Sequence, residues 1–213
     1  KIVYSGVGKK FEELRFAINK DILLINVESE SELKNIQKLA KKFRKKVSVG
    51  LRLNPNIDAK TNTKISTGRM QDKFGLNSSD IIKILNKFKN SRNIKIKCLS
   101  VHIGSQITQN KPYNNVLVAI NKILSKSKYK FEYIDLGGGM GITYIKDSKK
   151  LDYSKLSRNI YKFSKKNNCK IIFEPGRSIV GNTAVLLTKV IYIKNNTNKK
   201  FIIIDAGMND LIR

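Results

Sequence analysis

Apolar residues in this chain gather into short, nearly unbroken runs, separated by longer stretches in which they recur every three or four positions. Ile22 to Val27, Val47 to Leu53, Ile96 to Val101 and Ile171-Ile172-Phe173 read as strands buried on both faces. The intervening stripes predict helices at Phe11 to about Asn19, Ser31 to Phe43, Ser79 to Lys89, Tyr113 to Ser125 and Tyr153 to Lys166. In the first, Phe11, Leu14, Ala17 and Ile18 share one face. The second is capped by Ser29 or Ser31 and carries acids in its first turn. With the opening run Ile2-Val3-Tyr4 and the run Ile134-Asp135, the chain makes six strand-then-helix or strand-then-loop units in a row, the rhythm of a parallel sheet wrapped by helices. Lys1 leads straight into a strand, so the chain is expected to open inside a domain.

Three successive strands end in chemistry: Val101-His102-Ile103-Gly104-Ser105, Ile134-Asp135-Leu136-Gly137-Gly138-Gly139 and Phe173-Glu174-Pro175-Gly176-Arg177. Polar side chains gathered at one end of successive strands favour a barrel over a flat sheet. After Arg177 the rhythm breaks. Ala184 to Tyr192 and Phe201 to Asp205 read as strands joined by the polar turn Lys194 to Lys200 with no helix between, the pattern of an antiparallel second domain. The expected architecture is therefore α/β: a partial (β/α)8 TIM barrel over residues 1–180, followed by the start of a C-terminal β domain over residues 181–213.

Composition narrows the function classes. The 213 residues, 40% of them hydrophobic, suffice for one substantial core. No run approaches a membrane span, and no charged-then-apolar opening suggests secretion. Cys98 and Cys169 lie in separate apolar runs without zinc-site spacing, as core thiols of a cytoplasmic protein do. A formal charge of +27 raises the question of nucleic acid. The lysines are spread over helix faces and loops (Lys41, Lys42, Lys165, Lys166, Lys199, Lys200) without interleaved aromatics, which describes a solvated basic exterior and no specific nucleic-acid surface. Ser5-Gly6-Val7-Gly8-Lys9 is a turn and not a phosphate-binding Walker loop, because Val3 stands where the first glycine would be. The polar segment Asn56 to Asn77 is long enough to carry function or to cover a site.

Gly137-Gly138-Gly139 can form a nest of N–H groups for an anion or a plain tight turn. In a β/α barrel the loops after the last strands are a recurrent phosphate site. His102, the single histidine, is either a satisfied structural residue or an imidazole that stacks on a flat ring or shuttles a proton beside Gly104 and Ser105. Glu174 and Arg177 are either an ion pair, or an acid facing a heteroaromatic nitrogen and a fork gripping phosphate or carboxylate. A phosphate nest, a ring-stacking imidazole and an acid for a ring nitrogen together describe a pocket for pyridoxal 5'-phosphate.

The run Leu51-Arg52-Leu53-Asn54-Pro55, followed in order by Lys64-Ile65-Ser66-Thr67-Gly68, Lys73-Phe74-Gly75, Val101 to Gln106, Asp135 to Gly139, Glu174 to Val180 and Asp205 to Arg213, resembles the diaminopimelate decarboxylases. The resemblance covers nearly the whole chain. It implies a fold-type III enzyme, an alanine racemase-like barrel followed by a β domain, that decarboxylates meso-2,6-diaminopimelate to L-lysine as a homodimer with a shared active site. By the same resemblance His102 stacks on the pyridine ring. Ser105 and the backbone of Gly137, Gly138 and Gly139 hold the phosphate, and Glu174 pairs with the ring nitrogen. Pro175, Gly176 and Arg177 complete the cofactor and substrate contacts, and Arg213 meets a substrate carboxylate. Ornithine, arginine or carboxynorspermidine decarboxylases, or a non-catalytic cofactor-binding barrel, are the alternatives. Gln106 and the run ending in Arg213 favour diaminopimelate, whose second carboxylate needs a second cation. The family's Schiff-base lysine motif and catalytic cysteine motif do not occur in these residues, so the piece alone is expected to be inactive.

Overall fold

The computed structural model describes residues 1–59, 67–69, 71–144 and 150–211. Contacts divide the chain into two units, Lys1–Ser178 and Ile179–Arg213. In the first unit, strands β1 (Val3–Tyr4), β2 (Leu24–Val27), β3 (Val47–Leu53), β4 (Ile94–Val101), β5 (Tyr133–Asp135) and β6 (Lys170–Ile172) alternate with helices α1 (Phe11–Asn19), α2 (Glu30–Lys42), α3 (Ser78–Phe88), α4 (Asn110–Ser127) and α5 (Tyr153–Asn167). Neighbours along the chain are neighbours in the sheet, in the order β1 to β6, and every pairing is parallel. These are six consecutive staves of a (β/α)8 barrel, as the alternation of patterns predicts.

The helices start where side chains satisfy their free N–H groups. Ser29, Asn77 and Asp152 accept from the N–H groups of Glu32, Asp80 and Lys155 and so begin α2, α3 and α5. Each helix turns an apolar stripe onto the sheet: Leu33, Ile36 and Leu39 from α2, Ile81, Ile84 and Leu85 from α3, and Val116, Ile120 and Ile123 from α4 are all buried. Their partners are sheet residues such as Val27, Leu51 and Leu99, which belong to the same core. Both thiols lie in the buried part of this unit, neither forms a disulfide, and burial pushes the pKa of each upward.

The turn after β1 is held from inside. The Lys9 ammonium, 1% exposed, donates to the carbonyls of Gly6 and Asn26 and to Glu32 at 2.7 Å. The lysine that resembles a phosphate-loop residue in sequence is therefore a clasp joining β1, β2 and α2.

In the second unit β7 (Val190–Asn196) and β8 (Lys199–Ile204) form an antiparallel hairpin. The pattern expected a strand from Ala184 and a turn from Lys194 to Lys200. The strand instead starts at Val190, and only Thr197 and Asn198 lie between β7 and β8. Asn195 pairs with Lys200 and Asn196 with Lys199 because the backbone ladder continues through polar residues until the chain reverses. A one-turn helix α6 (Arg177–Val180), not foreseen, spans the division between the units.

Candidate active site

Strand register sets the site. Ser100 of β4 pairs with Asp135 of β5, and Asp135 pairs with Ile172 of β6. Two residues further along each strand lie His102, Gly137 and Glu174, level with one another at the carboxyl rim. The hydrogen bonds agree: the Gly138 N–H donates to Nδ1 of His102 at 3.1 Å, and the Glu174 N–H donates to the Gly137 carbonyl at 2.8 Å. The imidazole, the glycine bend and the acid therefore meet at one place, as the three strand-end motifs predict.

The glycines are needed there for space as well as conformation. A Cβ at Gly137 would lie 2.7 Å from Nδ1 of His102; one at Gly138 would strike the Glu174 carbonyl, and one at Gly139 the Gly104 carbonyl. Gly137 and Gly139 also have φ of 63° and 89°, the left-handed region that side chains resist. Three loops can thus touch only because the middle one carries no side chains. Gly176, by contrast, has open space on that side: a Cβ there would meet nothing within 4 Å.

His102 is half-buried and its pKa is lowered, first by burial and then by the Arg52 guanidinium. Its ring is therefore neutral at neutral pH. Because Nδ1 accepts from Gly138, the ring hydrogen sits on Nε2. Thr67 anchors the same residue by donating to its carbonyl at 2.9 Å.

Glu174 and Arg177 do not form an ion pair with each other among the described residues. Oε1 of Glu174 accepts from the Ser5 hydroxyl at 2.6 Å and lies 3.4 Å from Nδ2 of Asn26. Arg177 turns elsewhere: its Nε donates to the Ser105 hydroxyl at 3.2 Å and its NH1 to the Tyr144 hydroxyl at 2.6 Å. Of the two sequence-level readings, acid and guanidinium with separate tasks is the one compatible with this geometry. Pro175 and Gly176 form the connection between them.

Beneath the rim lies a buried polar layer that sequence reading did not anticipate. Asn26 Nδ2 reaches Asp135 Oδ2 at 2.8 Å and Ser5 Oγ at 3.0 Å, while the Ser100 hydroxyl donates to the same Asp135 oxygen at 3.2 Å. Burial and the facing Glu174 carboxylate push the pKa of Asp135 up to about 7. Further round, Arg52 and Glu28 form a buried ion pair, Glu28 accepts from the Gly75 N–H at 2.9 Å, and the guanidinium lies 4.8 Å from the centre of the Phe74 ring. A cheap signal existed for this pair: Arg52 and Glu28 each stand just past, or at the end of, an apolar run where a charge needs a partner. Tyr144 had none beyond its place in a loop after the glycines. Gln106, at φ 63°, clamps that loop reciprocally, donating to the Ile142 carbonyl at 2.6 Å and accepting from its N–H at 3.2 Å.

The donor set fits a flat phosphorylated ring. The fit is read from a cradle that any Cβ would fill, a neutral aromatic imidazole, an acid held by two neutral donors, and a guanidinium beside a hydroxyl. Lys64, Ile65, Ser66 and Arg213 lie outside the described residues, so the carboxylate contact expected of Arg213 has no structural description. Among the described residues no group of three or more His, Cys, Asp or Glu is placed to hold a metal ion, and no helix is long and apolar enough to cross a membrane.

Residues 1–181 match the family described as "Pyridoxal-dependent decarboxylase, pyridoxal binding domain". The chain belongs to this family of pyridoxal-dependent decarboxylases. Among curated relatives, the diaminopimelate decarboxylases of Zymomonas mobilis and Aquifex aeolicus are 41% and 39% identical over all of this chain and 52% and 51% of their own lengths. A crystal structure of diaminopimelate decarboxylase from Helicobacter pylori complexed with L-lysine superposes with a TM-score of 0.91 at 37% identity, covering 99% of this chain and 54% of that one. The chain thus spans about half the length of the curated relatives it matches.

Proposed function

We propose that this chain is the cofactor-binding part of a decarboxylase that converts meso-2,6-diaminopimelate to L-lysine and carbon dioxide with pyridoxal 5'-phosphate. The observation that carries the reading is the level alignment of His102, Gly137 and Glu174 at one rim of the sheet. Family membership supports the cofactor, and the names of relatives similar over the whole chain support the substrate.

When bound, pyridoxal phosphate supplies an electron sink for the pair released as the bond to the departing carboxylate breaks. Glu174 takes the ring nitrogen, and the Ser5 and Asn26 donors keep its carboxylate aimed. Neutral His102 lies against the ring face, its orientation fixed through Nδ1 by the Gly138 N–H. Within the glycine bend Gly137 and Gly138 give their N–H groups to Asp135 and His102, so the Gly139 N–H, the Ser105 hydroxyl and the Arg177 guanidinium hold the phosphate. Pro175 and Gly176 shape the turn that carries Arg177, which also serves a substrate carboxylate, and Arg213 takes the second one. Residues 1–180 form the barrel part and 181–213 the start of a β domain, in a cytoplasmic homodimer with a shared active site.

The test uses the full-length protein supplied with the cofactor and offered meso-diaminopimelate or ornithine, with the amine products identified. Lysine from diaminopimelate and no putrescine from ornithine is the expected outcome. Turnover of ornithine alone, or of neither substrate, sinks the reading.

A further inference from the structure

The glycine run is strapped by its neighbours on nearly every side. The Gly137 N–H donates to Asp135 Oδ1 at 2.9 Å, and the Gly137 carbonyl accepts from Glu174. The Gly138 N–H is taken by His102, and the Gly139 carbonyl accepts from the Ile107 N–H at 2.8 Å. The remaining carbonyl, that of Gly138, accepts from the Tyr113 hydroxyl at 2.9 Å. No acceptor for the Gly139 N–H occurs among the described residues. Of the three glycine amides, this is the one left for a ligand.

Tyr113 belongs to α4 and is 2% exposed. Burial raises its phenol far above the ordinary value, so the hydroxyl keeps its hydrogen at every working pH. A buried hydroxyl is costly when left without a partner, and here its partner is one glycine carbonyl. The peptide joining Gly138 to Gly139 is planar and trans, so its C=O and N–H point in opposite directions. Drawing the carbonyl towards α4 turns the Gly139 N–H away from that helix. Glycines cannot enforce this themselves, because their backbone rotates more freely than any other. A phenylalanine would fill nearly the same volume and leave that peptide free to turn over.

We propose that Tyr113 is a positioning residue for phosphate recognition: its hydroxyl locks the Gly138–Gly139 peptide so that the Gly139 N–H faces the phosphate of the cofactor. The inference rests on the cofactor reading above and deepens it.

The test compares Tyr113→Phe with the unaltered full-length protein. Dissociation constants for pyridoxal phosphate and for phosphate-free pyridoxal are measured by absorbance, together with ligand-free thermal unfolding. Loss of one hydrogen bond to a charged group corresponds to about a tenfold weaker grip on pyridoxal phosphate, with pyridoxal binding and the ligand-free fold little changed. A variant that loses both ligands alike, keeps the original ratio or fails to fold overturns the assignment. If the unaltered protein shows no preference for pyridoxal phosphate over pyridoxal, the cofactor reading itself falls, and the role of Tyr113 with it.

Discussion

The Gly138 amide donates to Nδ1 of His102 across 3.1 Å, so the single imidazole of the chain gives its lone pair to the loop of the neighbouring strand. That bond exists only while the ring is neutral. The folded pKa lies below the ordinary value near 6.5, so the histidine's contribution to stability is complete above that value and is lost as pH falls. Urea unfolding between pH 7.5 and 5 is expected to fall more steeply for the native protein than for His102→Asn, which cannot titrate. Equal slopes would mean that the imidazole is not held neutral.

Glycine substitutions should separate space from mere flexibility. Gly138→Ala drives a methyl into the Glu174 carbonyl, and Gly139→Ala adds a positive φ to a similar clash. Each is expected to cost about 2–4 kcal/mol of unfolding free energy. Gly176→Ala, with open space around it, should change stability by less than about 0.5 kcal/mol. A chemical-denaturation series on the three variants checks the order.

Asp135 gives the opposite pH signature. Its folded pKa is raised from 3.8 to about 7, so the native state keeps a proton that the unfolded chain has already released. The resulting penalty grows as pH rises from about 4 to about 7 and is constant above. Between pH 5 and pH 8 the native protein should lose about 2 kcal/mol relative to Asp135→Asn. Parallel stability curves for the two proteins would refute this.

The Arg52–Glu28 pair offers a double-mutant cycle. Its side chains are only 10% and 5% exposed, so removing one partner strands a charge. Glu28→Gln alone is expected to cost about 3–5 kcal/mol, and the pair Glu28→Gln with Arg52→Met markedly less than the sum of the single changes. Additivity in urea unfolding would show that the two side chains do not stabilise one another.

The staves were legible because buried parallel strands announce themselves as unbroken apolar runs. The range Val47–Leu53 and the helix Phe11–Asn19 follow directly from pattern. The rim motifs were legible because glycine, histidine and acid at strand ends are costly unless used. Ser5 and Glu174 were not a visible pair: they touch at 2.6 Å across 169 positions of sequence. Asn26 was equally hidden, an amide within an apolar run whose partners, Ser100 and Asp135, arrive on strands 74 and 109 positions away. Contacts of that kind depend on sheet register, which a single run of letters does not express. Polar residues in the β7–β8 turn likewise misled, because the ladder there follows the backbone and not the side chains.

Both native thiols, Cys98 and Cys169, are shielded and reluctant to ionise. Alkylating probes attack thiolates, so the folded chain offers them a silent background. A single cysteine introduced on the exposed side of α5 could therefore carry a fluorophore or spin label without removal of either Cys98 or Cys169, making these 213 residues a ready subject for distance measurements.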